Sequence, residues 1–241
     1  MSLHRRVLAT ALLLLIAGCS GAPLDGGEGL NAGAPSLAEF EYPDGYQEEG
    51  IPNATAALET HRERLAATGG VVNATRSFGE DGGTASTLRI DAERERIYSR
   101  QHRDDEIQRE AFYRDGTLYR HYDDHVRTSD VTYEEANDRA QVGPLRTVDA
   151  LNFSAAGTTV VDGTPAVRYE VTEVDRRVVD VADDVESVSG ELVVDEAGAV
   201  HRFEYRITID EDGESRTYAG TYEVESYGET TVEAPDWMEE R

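Results

Sequence analysis

A chain of 241 residues with 49 acidic and 23 basic side chains, a formal charge of −26, lacks the basic footprint that phosphates require, so binding to nucleic acid is disfavoured outright. Lysine is absent, and a single cysteine leaves no disulfide possible within one molecule. The length beyond the N-terminal region suits one domain plus a tether, and 12 tyrosines against one tryptophan and five phenylalanines suggest a sheet lined by amphipathic rings.

Residues 1–18 have the three parts of a secretory signal: a basic start (His4, Arg5, Arg6), an apolar core from Val7 to Ala17, and small residues ending in Gly18. The core is shorter than the about 20 residues a membrane-spanning helix needs, so the segment reads as removed rather than retained. Ile16-Ala17-Gly18-Cys19 resembles the bacterial and archaeal lipobox. That resemblance implies cleavage before Cys19 and a lipid on its thiol, holding the protein to the outer face of the cytoplasmic membrane. One chain binds a bilayer only marginally, so stable anchoring needs a two-chain lipid. Arg5-Arg6 also loosely matches a twin-arginine signal, leaving the export route open. Cleavage would remove two arginines and no acid, making the mature chain two units more negative.

Residues 19–39, rich in Gly, Ala, Pro and acid without periodicity, read as a lipidated flexible tether, followed by one domain over 40–235 and a tail over 236–241. Asn53 suits a helix N-cap, and Ala54 to Thr68 suits a helix stopped by Gly69-Gly70. Strands are predicted at Val71–Phe78, Thr84–Asp91, Arg96–Arg103, Ile107–Tyr113 and Leu118–Val126, with Asp115-Gly116 a hairpin turn. Glu134-Glu135-Ala136 and Leu145 to Phe153 are expected to be helical, interrupting two β regions. In the second region Val167, Tyr169 and Val171 alternate with polar residues, as do Phe203, Tyr205, Ile207 and Ile209. This period of two belongs to a sheet with one buried face. Further strands are expected at Val188–Val194 and Tyr218–Val224, with turns at Asp162-Gly163, Ala197-Gly198 and Asp212-Gly213. The fold class expected is α+β, mainly β, as an antiparallel meander.

This order of elements over roughly residues 40–235 resembles the LolA/LppX-type lipoprotein fold. The resemblance implies a strongly curved antiparallel sheet, an incomplete barrel, wrapping one or more helices and able to leave an apolar cavity. The ending Val232-Glu233-Ala234-Pro235-Asp236-Trp237 is similar to that of small, uncharacterised lipoproteins of halophilic archaea. Complete use of arginine over lysine in a highly acidic chain agrees with such a source. In molar salt the Debye length falls to about 3 Å, and carboxylate repulsion is screened.

Residues that could carry chemistry are few. His121-Tyr122-Asp123-Asp124-His125 is the one cluster suited to a transition metal, but on a single strand its two histidines would stand about 13 Å apart. Asp210-Glu211-Asp212-Gly213-Glu214 lacks the spacing of a calcium loop and reads as a hairpin turn. The charge runs Asp104-Asp105-Glu106 and Asp183-Asp184 read as solvated. No nucleophile elbow, phosphate loop, HExxH or paired zinc cysteines occur, so no catalytic residue, metal or cofactor is nominated and the chain is read as a non-enzyme. Asn53, Asn73 and Asn152 lie in Asn-x-Ser/Thr sites that could carry glycans.

The leading expectation is a membrane-anchored lipoprotein that binds or carries an apolar ligand, such as a lipid, on the concave face of the sheet. Phe203, Tyr205, Ile207, Tyr218 and Tyr222 are the ligand-facing candidates. The alternative is a cell-surface structural or protein-interaction module without a small ligand, with a hydrolase as the third reading; no protein partner is identified.

Overall fold

The computed structural model describes residues 33–238 apart from 80–81, 105, 124, 141–142, 176–183, 212 and 229. The signal segment, Cys19, residues 19–32 of the tether, Asp105, Asp124, Asp183 and Asp212 lie outside the described residues. Among the described residues no helix is long and apolar enough to cross a membrane.

Helix α1 spans Ala54–Thr68. The Asn53 side chain accepts a hydrogen bond from the Ala56 amide at 3.1 Å, satisfying one of the donors that a helix start leaves unpaired. Gly69, at φ 75°, stops the helix while its N–H donates to the Leu65 carbonyl. Strands β1 (Gly70–Phe78), β2 (Gly83–Asp91), β3 (Arg96–Arg103), β4 (Glu106–Arg114), β5 (Thr117–Tyr122) and β6 (His125–Asp130) follow as an antiparallel meander. Asp115 and Gly116, at φ 49° and 79°, make the β4–β5 turn with both central residues left-handed, as an Asp-Gly hairpin requires.

Helix α2 (Tyr133–Ala140) and a 3-10 segment (Pro144–Ala150) then cross to β7 (Leu151–Val161), β8 (Thr164–Val174), β9 (Val185–Asp195), β10 (Val200–Glu211) and β11 (Glu214–Tyr227). All eleven strands form one sheet in the order β6-β5-β4-β3-β2-β1-β11-β10-β9-β8-β7. The two meanders are joined by the β1–β11 pair, with Ala74 opposite Tyr222. Strands β6 and β7 are the two edges, so the sheet is open, mainly antiparallel β with helices on one face, as the sequence pattern implies.

The sheet curls toward those helices. Phe153 on β7 and Phe203 on β10 have ring centroids 6.2 Å apart, although three inter-strand steps across a flat sheet come to about 14 Å. Val167, Tyr169, Leu192, Val194 and Phe203 are fully buried on this inner face, together with Leu65 and Ala57 of α1. Each large side chain so enclosed stabilises the fold by about 1.5–3 kcal/mol relative to exposure. Tyr205 is paired with Gly220 on one side and Gly190 on the other. Its ring lies over Gly220, where a Cβ would meet Tyr205 Cε1 at 2.6 Å, so the missing side chain makes room for the aromatic one.

Two expectations are corrected. Leu118–Val126 is not one strand: β5 ends at Tyr122, Asp123 has φ 46°, and β6 begins at His125. Leu145–Phe153 is helical only in part: Pro144–Ala150 is a 3-10 helix, and Leu151 begins β7. Leu151 and Phe153 find partners in Val174 and Val171 of β8, and this long-range pairing overrides local preference. Ordered contacts also begin before residue 40. Thr158 Oγ1 donates to the Pro35 carbonyl, and Ser36 and Glu39 hydrogen-bond each other around the turn Leu37–Glu39. At the other end, Asp236–Met238 form a 3-10 turn.

Candidate functional site

The inner face is not evenly filled. On β7–β11 it carries large rings, whereas on β1–β4 it runs to Ala74, Thr84, Ser86, Ser99 and Gln101, which leave volume unoccupied. A cleft of about 430 Å³ results, bounded by these strands and by Ala140, Gly143 and Pro144. Its apolar lining is Val72, Ala74, Leu88, Pro144 and Tyr222, with Phe78 toward the sheet end.

Strand alternation decides which charged groups face this space. Arg76 shares the parity of buried Val72 and Ala74, Arg103 that of buried Ile97, and Arg109 that of buried Tyr113. Arg146 enters from the 3-10 segment. Arg76 and Arg109 are half-buried, whereas Arg103 and Arg146 are exposed at the mouth. Arg100 also borders the cleft, but it has the opposite parity, and its Nε meets Glu110 at 3.1 Å on the outer face.

Tyr222 connects the cleft to a buried polar network. Its hydroxyl lies 2.7 Å from His61 Nε2, while His61 Nδ1 accepts the Val200 amide at 3.1 Å. An Nδ1 that accepts leaves the proton of a neutral ring on Nε2, so His61 donates to the Tyr222 oxygen. Burial, then the nearby His201 and Arg62 charges, push the His61 pKa down to about 3, keeping the ring neutral. Burial also raises the Tyr222 hydroxyl. Tyr227 donates to the Val200 carbonyl at 2.8 Å beside this network. Below it, Asp195 receives the Ala197 and Ala199 amides at 2.9 Å and contacts His201 Nε2 at 3.0 Å. Burial raises the Asp195 pKa, but these bonds outweigh it and hold the carboxyl below its ordinary range.

A second polar cluster occupies the outer face. Glu110 accepts from Tyr98 and from Arg100 Nε and lies 3.5 Å from His121 Nδ1. His121 stacks on Trp237 with centroids 5.1 Å apart. Residues 231–237 are held over β2–β5: Arg96 donates to the Val232 carbonyl at 3.2 Å, and the Val232 amide donates to Asp91 at 3.3 Å. These contacts hold the C-terminal segment against the sheet.

Of the ligand-facing candidates, Tyr222 borders the cleft, and Phe203 is enclosed by Tyr205 and Phe153. Tyr205 is buried over Gly220, and Ile207 and Tyr218 are half-buried cross-strand partners. His121 and His125 are not together: His121 pairs with Val126, and His125 pairs with Tyr122 on the opposite face. Among the described residues no cluster of three His, Cys, Asp or Glu is placed to hold a metal ion. The Asp210–Glu214 stretch is the β10–β11 turn, where the Gly213 amide donates to Asp210 at 2.7 Å. Asn53 caps α1, Asn73 bridges Glu225 and Thr87 on the outer face of β1, and Asn152 sits half-buried at the start of β7. Sequence reasoning missed the four inward arginines. The parity of Arg76, Arg103 and Arg109 within the predicted strands was available as a signal, but their convergence with Arg146 of the 3-10 segment was not.

Several solved structures are similar at low identity. The lipoprotein LppX of Mycobacterium tuberculosis is 15% identical with a TM-score of 0.40, the match covering 75% of this chain and 98% of that one. The Pseudomonas aeruginosa MucA/MucB complex gives 15% identity and a TM-score of 0.34 over 77% of this chain and 60% of the other, so this chain spans under two thirds of that protein. An uncharacterised conserved protein of Thermus thermophilus gives 11% identity and a TM-score of 0.33 over 76% and 94%. No curated protein matches the sequence. The match to a family model runs over residues 5–241, and the chain belongs to that family, DUF7537, a family of unknown function.

Proposed function

We propose that this protein is an extracytoplasmic lipoprotein, anchored through Cys19 to the outer face of the cytoplasmic membrane, that binds an apolar molecule such as a lipid in the cleft of the curled sheet. The observation that carries this reading is the cleft itself. At about 430 Å³, with a floor of Val72, Ala74, Leu88 and Tyr222, it falls in the range of about 300–1,000 Å³ usual for small-molecule sites. The lipobox-like Ile16-Ala17-Gly18-Cys19 supports the anchor, and the arginine-only, acid-rich composition supports a high-salt setting outside the cell. Asn53 and Asn73 already use their side chains within the fold, so Asn152 is the sequon favoured to carry a glycan.

The test is mass spectrometry of the protein purified from its native membrane. A lipid mass on Cys19 together with a defined, noncovalently bound lipid supports both halves of the reading, and a Cys19→Ser variant is then released from the membrane. Recovery of the anchored protein with no bound lipid, and with a crosslinked protein partner instead, would replace it with the interaction-module reading.

A further inference from the structure

The charge of the cleft is opposite to that of the molecule. In a chain with 49 acids against 23 basic residues, the cleft lining holds, among the described residues, five arginines and no Asp or Glu. Two other hollows follow the overall composition: the one beside β7 is lined by Glu49, Asp149 and Asp175, and the one over β8–β11 by Glu170, Glu191 and Glu204 with Arg206. A smaller adjoining space beneath α2 shares Arg109 and adds Arg120 and Arg139, again without a carboxylate.

Four of these guanidinium groups lack a carboxylate partner among the described residues, although that of Arg76 lies 5.8 Å from the centre of the Phe78 ring. Among the described residues, Arg76, Arg103, Arg109 and Arg146 make no ion pair, whereas Arg100 on the other face is paired with Glu110. Arg76 supplies the sharper sign: its Nε is buried and has no hydrogen-bond acceptor among the described residues. A buried donor without a partner is uncommon and calls for an acceptor that belongs to the site. Asp104 lies against Gly82 and is not part of the lining. In a protein built to place acids on its surface, acid-free walls around unpaired forks provide a local exception suited to an oxyanion, which guanidinium groups bind through two parallel N–H donors.

Resting on the binding reading above, we propose that the cleft takes an amphiphile bearing an oxyanion, a phosphate or sulfate ester, rather than a purely apolar molecule. The apolar part lies on Val72, Ala74, Leu88 and Tyr222, and the anion meets Arg76 and Arg109 with Arg103 and Arg146 at the mouth. Long-range repulsion by the acidic surface is no obstacle in high salt, where exposed charges are screened within about 3 Å at 1 M, while direct contacts inside the cleft persist.

Native mass spectrometry of the full-length protein in a neutral detergent at fixed high salt tests this, with three probes added separately: dioctanoyl phosphatidylglycerol, uncharged dioctanoylglycerol and inorganic phosphate. The expected result is retention of phosphatidylglycerol at least about tenfold above dioctanoylglycerol, a factor matching one charge-assisted contact, and no retention of inorganic phosphate. The double substitution Arg76→Gln with Arg109→Gln brings phosphatidylglycerol down to the level of dioctanoylglycerol. Arg146→Gln, at an exposed position that does not threaten folding, lowers it by a smaller factor. Equal retention of both diacyl probes, unchanged in the variants, overturns the oxyanion inference and leaves the binding reading standing. Retention of neither overturns both. Inorganic phosphate held as firmly as phosphatidylglycerol overturns the amphiphile and points to a free anion.

Discussion

On β7–β11 the inner face closes on itself, with Phe153, Tyr169, Leu192, Phe203 and Tyr205 packed together beneath α1, whereas on β1–β4 it passes from Val72 and Leu88 to Ser86, Gln101 and three arginines, with Arg146 of the 3-10 segment beside them. One sheet thus holds two kinds of surface. Large rings consume the volume that curling encloses, and small polar side chains leave it open. The closed half is where substitutions should cost stability, and the open half is where they should cost binding.

The largest expected effect breaks the closed half. Phe203→Ala removes a fully buried ring between Phe153 and Tyr205 and should lower unfolding stability by about 3–5 kcal/mol, read from denaturant titration. Next, His61→Ala leaves the Val200 amide and Tyr222 hydroxyl without their shared partner inside the protein, for a loss of about 3 kcal/mol by the same measurement. A loss of under about 1 kcal/mol would show that water enters and replaces the imidazole.

The same residue predicts a pH dependence. The folded-state pKa of His61 is about 3 against an ordinary 6.5, so the unfolded chain binds a proton that the folded one refuses. The stabilising effect is full above pH 6.5 and is lost as pH falls toward 3, at on the order of 1 kcal/mol per unit. His61→Gln removes that titration, and its stability curve should be flatter than the native one between those limits. Identical slopes would mean that His61 is solvated. Smaller again is Asn53→Ala, which deletes the α1 cap and should cost about 1 kcal/mol. At the open half, Arg109→Gln should leave stability within about 0.5 kcal/mol of native, since Arg109 has no ion pair among the described residues. A large loss there would erase the distinction between the halves.

Much of this architecture was legible along the chain because its causes are local. Asn53 and Gly69 bracket α1 through backbone capping, Asp115-Gly116 makes its hairpin through left-handed dihedrals, and the alternation of Val167, Tyr169 and Val171 tracks a buried face. One error fell where long-range pairing governs. Residues 151–153 become strand because β8 lies alongside, whereas the division of Leu118–Val126 into β5 and β6 at Asp123 is a tight turn that strand-forming residues on both sides conceal. The aromatic residues nominated as ligand-facing did share one face, but which of them border free space depends on the volume of residues strands away.

What the sequence determined by itself was therefore an acidic, arginine-only chain, with helix α1, the hairpin turns and an antiparallel sheet of two polarities, since propensity, capping and alternation act over a few residues. Only the tertiary structure decided that β1 joins β11, that the sheet curls, and that Arg76, Arg103, Arg109 and Arg146 converge on one cleft with no acid among its described lining residues. Convergence of that kind is a property of strand order and curvature, and four arginines among 23 carry no local mark of the space they will share.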